Sequence, residues 1–392
     1  MLDELGLRWS CLIGSGLCFF GAGIRCFTTD TSTATGLIYF GQFLNGLAGP
    51  LAMSVAPAFS ATWFRPEERT TATGIQSAAN GLGTAVSYIL GPILLSTPPT
   101  TATTALPGNY TTTVAIPTTI DFDIVHTIKH QYLEYMWIQA AFTAVIFIGT
   151  IVYFPNRPPN SPSRTADISR ISFFSGIKQL LGHRQFWLIA LAYGAINGVS
   201  SGWSGYMEPN LQAFLPESTA QDESGWMGFY GTIGGCLGGI VFGYLSDKFI
   251  GRMKTILLVL CLMSGAFYMW FSLACQKIVP NRTADLYASS IIGNIALGAT
   301  IPLFYELGVE TTYPIAEGIT TGLLTSMNCV WSLIFLLFPE IPGMGSIWAN
   351  WMLVGSCGFS FLVLLTFRDL YHRSSVDLGA LDAEGDKGAI NN

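Results

Sequence analysis

The sequence predicts an all-α membrane protein that crosses the bilayer about ten times. Three observations carry this. Of 392 residues, 50% are hydrophobic and only 11% are charged, where a soluble domain carries about 25% charge. The apolar residues gather into stretches of about 20, the length that crosses about 30 Å of hydrocarbon. The few Lys and Arg fall almost entirely into alternate connections between those stretches, as the positive-inside rule requires. Backbone groups in lipid must be satisfied within their own segment, and alternating ten-residue barrel strands are absent from the sequence, so the spans are expected to be helices. A net charge of −6 leaves no basic footprint for nucleic acid, and the chain is too apolar to be disordered.

The first span, Trp9 to Phe27, follows Asp3, Glu4 and Arg8, which is not the flank of a cleavable secretory signal. Gly36 to Thr62 and Thr71 to Ser96 come next, joined by the short charged turn FRPEER. The connection from 97 to 132 opens TPPTTATTALPGNYTTT and is too polar to bury a core. Leu133 to Phe154 is the fourth span. The stretch NRPPNSPSRTADISR, 156 to 170, has linker composition. Six spans follow it: Phe186 to Met207, Gly225 to Leu245, Thr255 to Cys275, Leu286 to Tyr305, Ile319 to Phe338 and Ile347 to Phe367. The tail after Arg373 is polar, mildly acidic and expected to be disordered. The expected organisation is thus a first half over 1–154, a cytosolic linker over 155–185, a second half over 186–368 and a disordered cytosolic tail over 369–392.

With Met1 on the cytosolic side, only Arg25, Lys129, Lys277 and Arg282 of the 18 positive residues fall outside. The two N-x-S/T sequons, at Asn109 and Asn281, both fall in connections assigned to the outer side, where glycosylation occurs. The eight cysteines are scattered singly, without a C-x-x-C pair, and read as small membrane-buried residues. His126 and His130 are spaced i, i+4, but two histidines without a third ligand make a weak metal case. No Ser-His-Asp set, histidine box or intramembrane acid pair is present, so neither an enzyme nor a cofactor is called for.

Two pairs of connections repeat. DELGLR, with Asp3 and Arg8, resembles GYLSDKFIGRMK, with Asp247, Gly251, Arg252 and Lys254. PEERTTATGI, with Glu68 and Arg69, matches PIAEGITTGL, with Glu317. The spacing from Asp3 to Asp247 nearly equals that from Pro66 to Pro314, so the halves share a layout. Two spans precede the acidic motif in the second half and none precedes it in the first, so two helices, about 60 residues, are expected to be missing from the front.

An Asp-x-x-Gly-x-Arg connection after the second helix, repeated after the eighth, resembles the major facilitator superfamily. The longer strings NGLAGP, WFRPEERTTATGI, GWSGYMEP, GWMGFYGTIGGC and FYELGVETTYPIAEGITTGLL are similar to solute carrier family 49, the feline leukaemia virus subgroup C receptor family. The resemblance implies a facilitator fold, with family helices 3–6 in the first half and 7–12 in the second. It also implies a secondary transporter that carries a small organic metabolite across the lysosomal membrane, with pyridoxine (vitamin B6) and proton coupling as the expected solute and drive. Choline, ethanolamine or haem at the plasma membrane are the alternative substrates. Choline-carrying members place pocket glutamines where Gly81 and Cys329 stand here. The alternative of another class is a shortened, non-transporting membrane protein or an incomplete gene model. The expected partners are a small solute and membrane lipid.

A facilitator's solute site lies near the midplane, at broken helices and intramembrane polar groups. LAYGAINGVSSGWSGYMEP is glycine-rich, and its Asn197, Ser200, Ser201, Trp203, Ser204 and Tyr206 are candidates to face a solute. The same small residues equally allow close helix packing, and Trp203 and Tyr206 equally suit an aromatic belt. Gln76, Asn80, Asn328 and Trp331 are further candidate lining groups. Glu208, the most membrane-proximal outside acid, is the candidate for proton coupling, against the alternative of a solvated helix-end carboxylate. Glu306, Glu310 and Glu317 sit in a connection without Lys or Arg, and Arg252 and Lys254 are their expected partners in an inner gate, against the alternative of ordinary helix caps with Glu317 at a helix start. Gly231, Gly235, Gly239 and Gly243 recur every four residues and predict close packing along one helix face.

Overall fold

The computed structural model describes residues 6–27, 31–94, 122–155, 158–159, 173–212, 217–249, 251–279, 282–338, 346–368, 371 and 373–374. Asp3, both sequon asparagines, the Thr- and Pro-rich connection, residues 156–157 and 160–172 of the linker and the tail beyond 374 lie outside them. All regular structure among the described residues is helical. The first half holds α1 (Leu7–Ile24), α2 (Thr31–Trp63), a short 3₁₀ turn (Pro66–Glu68), α3 (Arg69–Leu94) and α4 (Phe122–Val152). After the linker come α5 (Phe173–Leu181) and α6 (Arg184–Tyr193). A π-helical turn (Gly194–Gly198), α7 (Val199–Trp203), a 3₁₀ turn (Ser204–Tyr206) and α8 (Met207–Gln212) then continue the line of α6. The remainder is α9 (Glu217–Lys248), α10 (Met253–Cys275), α11 (Thr283–Thr312), α12 (Glu317–Leu337) and α13 (Ile347–Thr366).

Seven helical stretches among the described residues are long and apolar enough to cross a membrane: α1, most of α4, most of α9, and α10 to α13. The other three expected spans fall on α2, on α3 and on the interrupted stretch from Arg184 to Gln212. Each differs for a sequence reason. α2 carries Pro50 and Pro57, α3 is rich in Thr, Gly and Asn, and the third is broken at its glycines. Large apolar side chains on the outside, such as Phe142 and Val145 of α4 at 67% and 70% exposure, are those a lipid-facing surface requires.

The largest buried apolar cluster runs through the second half from Leu180 to Phe367, whereas a second, in the first half, comprises Ala22, Cys26, Met136 and Ala140. Three helix contacts join the halves. α3 packs along α9 and against α11, and α2 packs on α12. Lipid tails are as apolar as leucine, so these seams depend on close backbone approach rather than on the hydrophobic effect. The glycine periodicity of α9 supplies that approach. A side chain at Gly74 would meet the Gly239 carbonyl at 2.8 Å, and one at Gly243 would meet the Thr70 carbonyl at 3.0 Å.

The same helix meets α11 backbone to backbone at Gly235 and Gly298, where an added Cβ on Gly298 would lie 2.6 Å from the Gly235 Cα. No flexible side chain is available there to yield. Gly298→Val is therefore expected to lower stability by about 3 kcal/mol or more through overpacking. Gly46→Ala, at a position with open space around it, should leave stability nearly unchanged. Thermal unfolding of the detergent-solubilised variants compares the two.

Candidate functional site

The inner face, so named for its excess of Lys and Arg, is closed by a carboxylate that bridges the halves. The first N–H groups of a helix have no intrahelical acceptor, and at α3 two of them are supplied from the other half. Asp247, near the end of α9, accepts from the Thr70 N–H at 3.1 Å, the Thr71 N–H at 2.7 Å and the Thr71 hydroxyl at 2.6 Å. An anion at a helix N-terminus is further favoured by the helix dipole. Gly251, in the turn that follows, has φ 86°, the left-handed conformation that makes glycine the fitting residue there. The second copy of the motif thus forms a charged cap from one half onto a helix of the other. Arg8 of the first copy is exposed and donates to the Ile151 carbonyl at 3.4 Å.

Beside this cap, Glu306, Glu310 and Glu317 are buried as a group. The expected partners were Arg252 and Lys254, and the structure corrects this. The Lys254 Nζ reaches the Phe367 carbonyl at 2.6 Å, at the end of α13, where carbonyls lack intrahelical donors. Arg252 is exposed. The cation among the glutamates is Arg373, 1% exposed, whose Nη1 lies 3.4 Å from the Glu306 Oε1 and whose Nη2 lies 3.8 Å from the Glu317 Oε1. Ser374 donates both its N–H, at 3.0 Å, and its hydroxyl, at 2.7 Å, to Glu310. The start of the tail, expected to be disordered from 369, is therefore docked at Tyr371 and Arg373–Ser374. Arg69, from the first half, is buried and acts on Glu306 through space, while Glu68 is exposed.

The second set of polar groups surrounds the π-helical turn. Widening the helix at Gly194–Gly198 lets α12 come close: a side chain on Gly194 would meet Trp331, and one on Gly198 would meet the Asn328 carbonyl at 2.5 Å. Asn197 is 5% exposed, and its Nδ2 donates to the Thr300 hydroxyl at 3.3 Å. The Asn197 Oδ1 and the Asn328 Oδ1 are buried and have no hydrogen-bond partner among the described residues. Both belong to the polar groups around the irregular turn, where an unpaired buried acceptor is costly. Below them the Tyr193 hydroxyl donates to the Tyr305 hydroxyl at 3.0 Å, and that of Tyr305 bonds Thr325 at 3.0 Å. This hydroxyl chain joins three elements and was not anticipated from the sequence.

In the first half, Gln76 and Thr73 both bond the Ser60 hydroxyl, at 3.0 and 2.9 Å. Asn80 is exposed and Ser200 is half-buried. Ser201 and Ser204 bond back to carbonyls of their own helix, at Asn197 and Ser201. Trp331 lies against Phe359. The structure therefore gathers Asn197, Asn328 and Trp331 at the turn, but places two candidates elsewhere. Tyr206 packs edge-on to Phe335 and Trp348.

Trp203 is core. Its ring stands against Tyr268 and Phe271, and its indole N–H donates to the Asn350 Oδ1 at 2.6 Å. Trp203→Phe removes that donor and part of the packing, for a loss of about 1–3 kcal/mol. The expected result is a lower unfolding temperature with the solute KM unchanged within about twofold. A KM raised more than about fivefold would return this ring to the solute path.

A helical membrane bundle in two halves, joined by a charged cap at one face and with an irregular polar turn in its middle, has the architecture of a facilitator. The Major Facilitator Superfamily model matches residues 1–336. The solute carrier family 49 member 4 homolog of Xenopus tropicalis is 37% identical over 382 residues, spanning 96% of this chain and 80% of that protein. The choline/ethanolamine transporter FLVCR1 of Mus terricolor is 27% identical over 376 residues, spanning 91% of this chain and 63% of its own length. Among solved structures, the E. coli fucose:proton symporter FucP superimposes with TM-score 0.68 at 12% identity, over 94% of this chain and 85% of that one. The chain belongs to the major facilitator superfamily and, within it, to solute carrier family 49. It is an integral, multi-pass membrane protein of a solute-transporting family.

Proposed function

We propose that this chain carries a small, neutral, hydroxyl-bearing metabolite of the pyridoxine type across the lysosomal membrane by alternating access. The observation that carries the reading is the Asp247 cap on α3, because it is a reversible polar contact made only between the two halves. Breaking it is what opening of the inner face requires, and a few hydrogen bonds are the right size for a contact that must break in every cycle. The solute class follows from the π-helical turn. Two buried carbonyl oxygens, on Asn197 and Asn328, call for donors on the ligand, and Trp331 beside them supplies an aromatic face. Two acceptor oxygens suit a solute with several donors better than a quaternary ammonium, whose nitrogen carries no hydrogen to donate.

Proteoliposomes containing the 392-residue chain, loaded with unlabelled pyridoxine, are expected to accumulate labelled pyridoxine by counterflow, saturably and without inhibition by excess choline. Saturable counterflow of choline with no effect of pyridoxine would replace the substrate. Proton coupling is assigned to Glu208, which shares its carboxylate with Gln212 at 3.0 Å on α8. Glu208→Gln is expected to remove the stimulation of uptake by an acidic outer side while leaving counterflow intact. An unchanged pH dependence rejects that assignment.

A further inference from the structure

The tail docked at the inner face ends, among the described residues, in a hydroxyl held by one carboxylate. Tyr371, Arg373 and Ser374 each reach a different part of the second half. The Tyr371 hydroxyl accepts the Met253 N–H at 3.2 Å, at the first turn of α10. Arg373 enters the pocket of Glu306 and Glu317. Ser374 gives both its donors to Glu310. A serine in that position is a point at which a small chemical change reverses the sign of the contact, because its partner is an anion with two more anions nearby.

We propose that Ser374 is a phosphorylation site whose modification releases the tail from the inner gate. In the reaction a protein kinase uses a nucleoside triphosphate. The Ser374 Oγ forms a bond to the γ-phosphorus as the bond to the β–γ bridging oxygen breaks, the hydroxyl proton is lost, and the nucleoside diphosphate leaves. The product carries about −1.5 to −2 charges. It removes the hydroxyl donor from Glu310 and sets the phosphate against a carboxylate 2.7 Å from the original oxygen. Like charges at that distance in a partly buried site repel strongly. Arg373, adjacent in the chain, is drawn from Glu306 and Glu317 toward the phosphate, since Arg pairs bidentately with it. Both effects undock the segment. In the docked state Glu310 occupies the hydroxyl, so a kinase reaches Ser374 only when the tail has left, and the phosphate then prevents its return. Modification thereby stores the undocked state, and hydrolysis by a phosphatase restores the latch.

The inference rests on reading this cluster as a gate, but its test does not depend on transport. The Met253 and Ser374 amides are themselves bonded in the latch, and hydrogen–deuterium exchange of the full chain reports them directly. With the chain purified from eukaryotic cells treated with phosphatase inhibitors, phosphopeptide mapping is expected to find phosphate on Ser374. Ser374→Glu is expected to raise exchange in peptides covering Met253 and 371–374 at least about tenfold, matching Arg373→Gln. Ser374→Ala, which keeps the N–H bond to Glu310, should stay within about threefold of the parent. Should Ser374→Glu fail to fold, the phosphorylated fraction before and after phosphatase treatment gives the same comparison. Wild-type exchange in the glutamate variant or the phosphorylated fraction, or absence of phosphate from Ser374 in the inhibitor-treated cells, overturns the proposal. Released tails without pyridoxine counterflow leave the latch intact and reject the substrate instead.

Discussion

Asp247→Asn is expected to speed amide exchange at Thr70 and Thr71 at least about tenfold and to slow uptake several-fold, with the protein still folded. The carboxylate accepts three hydrogen bonds at the start of α3, the shortest at 2.6 Å. Bonds to a charged acceptor are worth about 1.5–3 kcal/mol each, and the anion also gains from the helix dipole. The amide side chain keeps one acceptor oxygen and loses the charge, so a net loss of about 2 kcal/mol is a conservative figure, which moves the closed and open populations by about 30-fold. Fold integrity is retained because the α3–α9 seam above the cap is held by glycine contacts, such as that of Gly74 with Gly239. Exchange is read on peptides from the first turn of α3, and uptake in proteoliposomes. Unaltered exchange there would mean that the cap contributes nothing to closure.

Arg373→Gln is expected to have a large effect on stability. Removing one partner of a buried ion pair leaves the other charge uncompensated, at a cost of about 3–5 kcal/mol. Here two carboxylates, Glu306 and Glu317, share the cation. Arg69 also acts on Glu306, which keeps the loss toward the lower end of that range. A second substitution, Glu306→Gln, removes the carboxylate closest to Arg373 and should recover part of the loss. The double-mutant cycle is measured by thermal unfolding in detergent, and a cycle that closes additively would show that Arg373 and Glu306 do not interact.

The bilayer made most of the fold legible, because length and absence of charge decide a span without any knowledge of its neighbours. The place of Asp247 was legible for a related reason: an acid, a turn glycine and a basic residue recur in both halves, which singles out this connection but not the helix that it caps. Arg373 was not. An arginine after the last span satisfies the positive-inside rule wherever it points, and the polar tail around it carries no periodicity to suggest docking. The expected pairing of the three glutamates with Arg252 and Lys254 failed because the carbonyls ending α13 compete for Lys254. Trp203 was ambiguous in the sequence, since an indole among small residues suits a binding surface and a helix seam alike. Its packing on Tyr268 and Phe271 and its bond to Asn350, 147 residues away, place it in the core. The chain of Tyr193, Tyr305 and Thr325 was invisible for the same reason, as each hydroxyl is unremarkable in its own helix.

The central claim is that the inner ends of α3 and α9 must separate for solute to cross. A Thr71→Cys, Asp247→Cys pair replaces the bond between these side chains, 2.6 Å in length, with two thiols placed to form a disulfide. Pyridoxine counterflow of the same preparation is then compared oxidised and reduced. The account predicts that cross-linked protein transports at least about tenfold more slowly than reduced protein, and that reductant restores the rate. Equal rates from fully cross-linked and reduced protein would contradict it.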